Sequence, residues 1–297
     1  MHEDVTIVSG GDSKYFQLLK ELALSIREKP EGKNLNIVYL DGGLTNENIG
    51  YFKSLNIEVV DPCWCNPIAE KKAAGRNFLK INIAKMHLDV ILPNKKIIIW
   101  IDADAWLQTF ESINLFSIVA KKNKLAIVSQ ATRLEGRNIQ FKKIFTHRFV
   151  ELRNILYKNA RRAGLTTDLI EKMQGRPTLN AGAYSLHVNA PHWKRFRYWQ
   201  NEILKKGRLF TSDQLAIGLT IYHDELSYEA LPDICNYINP WRYDEENKLF
   251  VDYFAPYTPV SIVHLAGQDK SRNDALYEVE MLNLKDQIIN KTLRYQI

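Results

Sequence analysis

Short apolar runs alternate with amphipathic stretches along the first third of the chain. The runs are bounded by polar or glycine-containing turns, which is typical of buried strands. They occupy residues 4–9, 35–40, 57–60 and 97–101. Three helices are predicted between them: one that carries Leu18, Leu19, Leu22 and Ile26, one over residues 45–55 with Thr45 as N-cap, and one over residues 78–92 that ends at Pro93.

Strands separated by helices of this length predict an α/β fold. We expect a Rossmann-like, mostly parallel central sheet flanked by helices, because parallel neighbours need crossover connections. Ligands of such sheets bind beyond the carboxyl ends of the strands. Gly10, Asp12 and Asp102 would all emerge there. The 297 residues are enough for one large domain or two packed halves.

Two later segments also show helical spacing of apolar residues. The first is residues 193–206, whose apolar face we interpret as core: Trp193, Phe196, Trp199 and Ile203. The second predicts a helix through a basic stretch, with the face Phe141, Phe145, Phe149, Leu152 and Leu156.

Positive charge is concentrated around that second segment. Residues 135–162 contain eight basic and two acidic side chains, so they account for the whole net charge of +6. A basic amphipathic helix favours contact with anionic lipid headgroups or with a phosphorylated acceptor. Alternatively, its apolar face packs on the domain or on another subunit while the cations face solvent.

Composition excludes several classes of protein. Hydrophobic and charged contents of 45% and 25% are those of an ordinary globular protein. No segment reaches the roughly 18 consecutive apolar residues of a membrane span, and the start lacks a basic n-region, so we expect a cytoplasmic protein. Cys63, Cys65 and Cys235 are interpreted as unpaired thiols. Nucleic-acid binding is not expected, because the charge is local and no recognised module accompanies it.

Asp102-Ala103-Asp104 directly follows the apolar run at residues 97–101. Residues two apart on a strand point the same way, so the two carboxylates converge if the extended geometry persists. Like charges this close recruit a cation or raise one pKa, and oxygen ligands suit Mg²⁺ or Mn²⁺. The alternative is an acidic turn left in water.

Three later segments add polar groups after predicted elements. Residues 179–184 contain Asn180-Ala181-Gly182, whose small side chains let a ligand approach the backbone closely. Asp213-Gln214 lies in the first turn of a helix that Thr211-Ser212 is able to cap. A strand at 260–263 runs into His264, Gly267 and Lys270. Each segment alone has a purely structural explanation.

In this order the motifs resemble those of the retaining GT-A glycosyltransferases of the glycosyltransferase 8 type, which include lipooligosaccharide galactosyltransferases and glycogenins. Residues 92–104 are similar to that family's approach to its DxD motif. Asn180-Ala181-Gly182 is similar to its NAG segment, Asp213-Gln214 to its DQ pair, and His264-x-x-Gly267-x-x-Lys270 to its HxxGxxK motif. The resemblance spans residues 4–270.

The resemblance implies a set of roles. Asp102, Asp104 and His264 would hold Mn²⁺ or Mg²⁺ on the diphosphate of a nucleotide sugar, most simply a UDP-sugar. The nucleotide would be bound by Val8, Ser9, Asp12, Lys85, Ala103, Gly267 and Lys270. The donor sugar would be lined by Asn180, Ala181, Gly182, Asp213 and Gln214.

The implied reaction moves a hexose or N-acetylhexosamine to a glycan or lipid-linked saccharide with retention of configuration. Gln214, with Asp213 beside it, would lie beneath the anomeric carbon. An amide is a poor nucleophile, so we favour front-face attack over a covalent intermediate. Peripheral contact with the inner face of a membrane would fit a lipid-linked acceptor.

The resemblance also implies how the chain is divided. Residues 1–270 would form the catalytic domain, with a nucleotide-binding half at 1–105, a sugar and acceptor half at 106–270, and a C-terminal extension at 271–297. A helical, basic insertion at about 132–178 would act as a lid or an acceptor platform. The chain departs from the pattern at Ser271-Arg272, where many members have Pro-Trp.

Two other functions compete with transfer. Haloacid-dehalogenase phosphatases also place Asp-x-Asp after an apolar strand, although usually after the first strand of the sheet. A non-catalytic nucleotide-sugar binding protein would keep the same metal-binding residues without turnover.

Overall fold

The structure, a computed structural model, describes residues 3–130, 140–144 and 149–296, with the backbone alone described at 140–144 and 149–153. In chain order its strands are β1 (Val5–Gly11), β2 (Asn36–Asp41), β3 (Glu58–Val60), β4 (Ile97–Ile101), β5 (Ala105–Leu107), β6 (Leu125–Ser129), β7 (Gln140–Ile144), β8 (Phe149–Arg153), β9 (Leu179–His187), β10 (Tyr228–Leu231), β11 (Trp241–Asp244), β12 (Leu249–Asp252), β13 (Ile262–His264), β14 (Glu278–Asn283) and β15 (Ile288–Thr292).

The helices are α1 (Phe16–Arg27), α2 (Asn46–Ser54), α3 (Pro67–Ala73), α4 (Lys80–Ala84), α5 (Leu88–Ile91), α6 (Glu111–Ala120), α7 (Ile155–Arg162), α8 (Thr167–Lys172), α9 (His192–Lys206), α10 (Ser212–Tyr222) and α11 (Asp269–Asn273). None of the helices in these described ranges is both long and apolar enough to cross a bilayer.

The central sheet has seven strands within the described residues, in the order β10-β6-β9-β4-β1-β2-β3. β3, β2, β1 and β4 are parallel, β10 is parallel to β6, and β9 runs antiparallel between β4 and β6. Helices cover both faces: one apolar cluster includes residues of α1, α2 and α6, and the other includes residues of α9 and α10. The predicted α/β fold with a mostly parallel sheet is confirmed.

Several predicted elements are found close to their expected bounds. β4 occupies residues 97–101, and the side chain of Thr45 caps α2 in a capping box with Asn48. The face of α9 predicted as core is buried: Trp193, Phe196, Trp199 and Ile203 all belong to one apolar cluster.

The predicted helix over residues 78–92 is wrong, because it is broken between α4 and α5. The backbone N–H groups of Met86 and His87 bond three residues back, to Ile83 and Ala84. The Tyr184 hydroxyl on β9 donates to the carbonyl oxygen of Lys85 at 2.5 Å. The helix is interrupted at this contact, which involves the residue whose side chain enters the cleft described below.

The predicted helix through residues 141–156 is also wrong. β7 and β8 form an antiparallel hairpin there, and α7 begins only at Ile155. The register pairs Phe141 with Leu152, two members of the predicted helical face, and pairs Phe149 with Ile144, which was not part of that face. Residues 132–139 and 145–148 of the predicted insertion, which include Phe145, lie outside the described residues.

The last strands build a second sheet of four, in the order β12-β11-β14-β15. Its apolar side chains cluster with Trp106 and Leu18 of the first part of the chain. Arg294 then pairs with Glu21 of α1, and both side chains are buried. The predicted division of the chain at residues 105 and 270 stays a prediction.

Candidate active site

A cleft of about 550 Å³ opens at the carboxyl ends of β1 and β4. Twelve of the sequence-predicted site residues line it: Asp12, Lys85, Asp102, Ala103, Asp104, Asn180, Ala181, Gly182, Asp213, Gln214, His264 and Gly267. The other three, Val8, Ser9 and Lys270, do not. Residues from both ends of the sequence thus meet in one volume, as expected for ligand sites of open α/β sheets.

The acidic pair is placed by two backbone connections. The backbone N–H of Asp102 donates to the carbonyl oxygen of Gly182 at 2.7 Å, which fixes the end of β4 against β9. β5 begins three residues after Asp102 and pairs antiparallel with β13, so that Ala105 is the register partner of His264. His264 Nε2 therefore lies 3.3 Å from Asp104 Oδ1.

Asp102, Asp104 and His264 together offer ligand atoms that all lie within 4.8 Å of one another. Two carboxylate oxygens and an imidazole nitrogen are a donor set that suits Mn²⁺ or Mg²⁺. The three residues thus fit a divalent cation, which would lie at the base of the cleft.

The orientation of His264 is set by Asn236, a residue that sequence reasoning did not identify. Asn236 Oδ1 lies 2.7 Å from His264 Nδ1, and a carbonyl oxygen only accepts hydrogen bonds. Nδ1 therefore carries the proton in this arrangement, and Nε2 directs its lone pair toward Asp104 when the ring is neutral. Burial lowers the pKa of His264, but the Asp104 carboxylate outweighs it and holds that pKa above its usual value.

Gly182 lets the imidazole reach this position. A Cβ atom at residue 182 would lie 2.3 Å from His264 Cε1 and 2.9 Å from Nδ1. Any larger residue would displace the ring, so the small side chain serves a close approach. The backbone N–H of Gly182 donates a hydrogen bond to Asn180 Oδ1 at 2.9 Å, which helps to fix the backbone here.

Lys85 is the buried cation of the site. Its Nζ lies 2.6 Å from Asp102 Oδ1, 3.4 Å from Asp213 Oδ2, and 5.0 Å from the ring centroid of Trp100. Burial lowers the pKa of Lys85, but Asp102 and Asp213 outweigh it and raise that pKa above its usual value. Lys85 therefore stays charged at neutral pH and links the acidic pair to the start of α10.

The pKa values of the two aspartates are shifted in opposite directions. Burial raises the pKa of Asp102 and exceeds the opposing effect of Lys85. Burial also acts to raise the pKa of Asp104, but His264 and Arg272 together bring that pKa well below its usual range. Asp104 is therefore ionised at neutral pH. Asp102 also accepts a hydrogen bond, from Trp100 Nε1 to its Oδ1 at 2.7 Å.

Arg272 is the second functional candidate that the sequence analysis missed. Its Nη1 lies 3.1 Å from Asp104 Oδ2, and its side chain lines the cleft. The predicted phosphate ligand Lys270 is instead exposed, with Nζ 5.3 Å from the Tyr277 ring centroid. The available signal was the departure at Ser271-Arg272, which puts a cation two residues beyond the predicted one.

The start of α10 also lines the cleft, through Thr211, Asp213 and Gln214. Thr211 adopts a left-handed conformation with φ of 70° and does not cap the helix through its side chain, contrary to the prediction. Its Oγ1 instead accepts from Asn159 Nδ2 at 3.1 Å. Asp213 is buried, its Oδ1 accepts from the Gln214 backbone N–H at 2.9 Å, and the Gln214 side chain is partly exposed.

Val8 and Ser9 lie within β1 and have no exposed surface. A strand interior packed on both faces leaves no room for a base or ribose beside them. The part of β1 and its following turn that lines the cleft is Gly10, Gly11 and Asp12, with Tyr15 beyond.

No protein-family model matches the sequence, and no curated protein matches it in sequence. The structure is similar to that of the galactosyltransferase LgtC in complex with donor and acceptor sugar analogues, over 87% of this chain and 86% of that chain, with 15% identity and a TM-score of 0.50. It is also similar to the bifunctional glycosyltransferase WbbM, over 89% of this chain and 46% of that chain, with 15% identity and a TM-score of 0.53. At these identities the likeness shows the fold, which is that of the GT-A glycosyltransferases.

Proposed function

We propose that the chain is a metal-dependent, retaining glycosyltransferase that moves a hexose or N-acetylhexosamine from a UDP-sugar to a glycan or glycolipid acceptor. The observation that carries this proposal is the convergence of Asp102, Asp104 and His264 within 4.8 Å in the cleft of a GT-A fold. Fold likeness alone would not identify chemistry, because one fold hosts many functions.

Asp102, Asp104 and His264 would hold Mn²⁺ or Mg²⁺. When bound, such an ion neutralises charge on the diphosphate and on the departing nucleoside diphosphate. Asn236 keeps the Nε2 atom of His264 available for this purpose through its 2.7 Å contact with Nδ1. The cleft surface formed by Gly10, Gly11 and Asp12 is where we place the nucleoside.

The donor sugar would lie between Asn180 and the start of α10. Asp213 is held by Lys85 and by the Gln214 backbone N–H, so its carboxylate is oriented to accept hydrogen bonds from sugar hydroxyls. Binding the sugar on both sides fixes the anomeric carbon relative to the leaving group, which is a positioning contribution to the rate.

Retention is proposed to follow from front-face attack. The Gln214 side chain is an amide and therefore a poor nucleophile, and Asp213 is already engaged with Lys85 at 3.4 Å. In the proposed step the bond between the anomeric carbon and the diphosphate oxygen breaks first. The acceptor oxygen then bonds to the same face of that carbon, and its proton passes to the departing phosphate oxygen.

The acceptor would approach over a groove of about 340 Å³ that shares Leu79 and Phe210 with the cleft. Phe210 is 70% exposed and offers an apolar face for a sugar ring. Lys72, Arg76 and Arg208 also line the groove. Among the ion pairs of the described side chains, none joins these three cations to a carboxylate. An acceptor that carries a phosphate or carboxylate group would therefore suit this groove.

A screen of UDP-glucose, UDP-galactose and their N-acetylated forms with Mn²⁺ or Mg²⁺ tests the proposal. We expect slow, metal-dependent hydrolysis of one donor, accelerated when phosphorylated saccharides are supplied as acceptors. Tight donor binding without hydrolysis or transfer would favour a non-catalytic binding protein. Phosphate release from a generic phosphomonoester, with no donor hydrolysis, would favour the phosphatase alternative.

A further inference from the structure

Arg272 forms an ion pair with Asp104, one of the carboxylates that would bind the divalent cation. Its Nη1 lies 3.1 Å from Asp104 Oδ2, while its Nη2 pairs with Asp269 in the same short helix. Asp104 Oδ1 in turn faces His264 at 3.3 Å. Both oxygens of Asp104 are thus engaged by positively charged or protonatable side chains before any ligand binds.

The backbone beneath Arg272 is fixed, whereas its side chain is long and only partly covered. Arg294 Nη1 donates to the carbonyl oxygens of Ser271 at 3.2 Å and Arg272 at 3.1 Å. Arg294 is itself held by the buried carboxylate of Glu21. The Arg272 side chain is 26% exposed, so its guanidinium is accessible to a ligand bound in the cleft.

The charges of the cleft explain why the guanidinium lies there. The carboxylates that line the cleft, Asp12, Asp102, Asp104 and Asp213, supply four negative charges, and Lys85 and Arg272 supply two positive charges. Without Arg272 the excess would be three negative charges around one cleft, which is unfavourable because like charges repel. Arg272 therefore performs part of the compensation that a bound divalent cation would perform.

A guanidinium and a divalent cation compete for Asp104, but a diphosphate offers the guanidinium another partner. Its planar fork of N–H donors matches phosphate oxygens well. We propose that Arg272 is an exchanging cation, which holds Asp104 in the empty cleft and transfers to the donor diphosphate when the metal and the nucleotide bind. This inference rests on the proposed function, and it assigns to Arg272 the phosphate contact predicted for Lys270.

The inference predicts effects of opposite sign for one substitution. In Arg272→Gln, no guanidinium competes with Mn²⁺ for Asp104. The affinity for Mn²⁺ in the absence of nucleotide should therefore rise about tenfold, which is the order expected for removing one nearby charge at a partly exposed site. UDP affinity at saturating Mn²⁺ should fall about tenfold, because one charge-assisted contact to phosphate is lost. A residue that only stabilised the loop would weaken both affinities.

The experiment measures Mn²⁺ alone by loss of the free-ion electron paramagnetic resonance signal, and UDP by calorimetry at saturating Mn²⁺. Lys285→Gln is the matched control, since it removes one charge at an exposed position away from the cleft. It should leave both affinities unchanged. Arg272→Lys, which keeps the charge without the fork, should leave the affinity for Mn²⁺ alone near that of the wild type and still weaken UDP binding.

Unchanged or weaker binding of Mn²⁺ alone in a folded Arg272→Gln protein would overturn the inference, as would unchanged UDP affinity. If Arg272→Gln fails to fold, Arg272→Lys decides: weaker UDP binding with Mn²⁺ affinity near that of the wild type would support the inference, and unchanged UDP affinity would overturn it. If the wild type binds Mn²⁺ and the Arg272 substitutions change neither affinity, the proposed function stands and this inference is rejected. A wild type that binds no Mn²⁺ contradicts both.

Discussion

Two buried groups of charges in this molecule differ in how completely they are compensated. Arg294 and Glu21 form a closed pair: Nε and Nη2 of the arginine bond to the carboxylate, and Nη1 bonds to two backbone carbonyl oxygens. Neither residue lines the cleft. The charge is balanced one to one, so nothing further is needed to complete this group.

The charges of the cleft are not balanced in this way. The four carboxylates that line the cleft, Asp12, Asp102, Asp104 and Asp213, exceed Lys85 and Arg272 by two negative charges, and they face a volume of about 550 Å³. Burial without full compensation is costly in a folded protein and is typical of functional sites. The open, unbalanced group is therefore the one that a cationic ligand would complete, while the closed pair supports the fold.

The strongest test removes one carboxylate of the unbalanced group. Asp104→Asn keeps the shape of the side chain but removes a metal ligand, so Mn²⁺-dependent UDP affinity should fall at least about 100-fold. The melting temperature should change little, because a like-charge repulsion with Asp102 is lost together with the contacts to His264 and Arg272. Calorimetry and thermal unfolding measure the two effects. Unchanged UDP affinity would contradict the metal site.

The matching test breaks the closed pair. Glu21→Gln leaves Arg294 buried without its counter-charge, which should lower the free energy of unfolding by about 3–5 kcal/mol. Urea denaturation measures the loss, and Glu31→Gln on the surface serves as the control. UDP affinity of the folded fraction should remain near that of the wild type. Stability equal to the wild type would show that the pair is not structural.

A third test separates binding from chemistry within the cleft. Gln214→Ala removes the amide placed at the reacting centre, so turnover should fall about 10–100-fold while UDP affinity changes less than about threefold. Steady-state kinetics of donor hydrolysis and calorimetry with UDP provide the two readings. An equal loss of both would assign Gln214 to donor binding.

The smallest expected effect concerns a buried group that is neutral rather than paired. Burial lowers the pKa of His87 to about 4, although a hydrogen bond to Gln200 partly opposes it. The unfolded chain therefore binds a proton at His87 more strongly than the folded protein does. The free energy of unfolding is highest above pH 6.5, where His87 is neutral in both states, and it decreases as the pH falls toward 4. Between pH 7 and pH 5 the free energy of unfolding should drop by up to about 2 kcal/mol from this residue.

Urea denaturation at the two pH values measures the His87 effect. His87→Gln, which does not titrate, should show a smaller pH dependence by that amount. An identical pH dependence in the two proteins would mean that the pKa of His87 is not lowered in the folded state.

Linear patterns in the sequence predicted the sheet well. The strand at residues 97–101 is a local apolar run, and the acidic pair follows it directly, so local rules sufficed to place both. His264 was found only through the resemblance in motif order, since β13 brings it to Ala105 by a pairing across most of the chain.

Contacts between distant residues account for what could not be predicted. The helix over 78–92 breaks where Tyr184, 99 residues away, takes the carbonyl of Lys85. The hairpin of β7 and β8 was mistaken for a helix because apolar residues three and four apart in a short stretch do not by themselves distinguish a helix from two paired strands. Asn236 is an ordinary polar residue in sequence, and Arg272 stands out only as a departure from the family pattern, so the folded chain is needed to show what each of them touches.

The tight fit between Gly182 and His264 limits how this protein could be redesigned. The distance of 2.3 Å from a hypothetical Cβ to the ring leaves no latitude at residue 182, even for a methyl group. Attempts to alter sugar preference would have to work through neighbours such as Gln214, whose partly exposed side chain has room to vary. Diversification libraries for this scaffold should therefore hold that glycine constant.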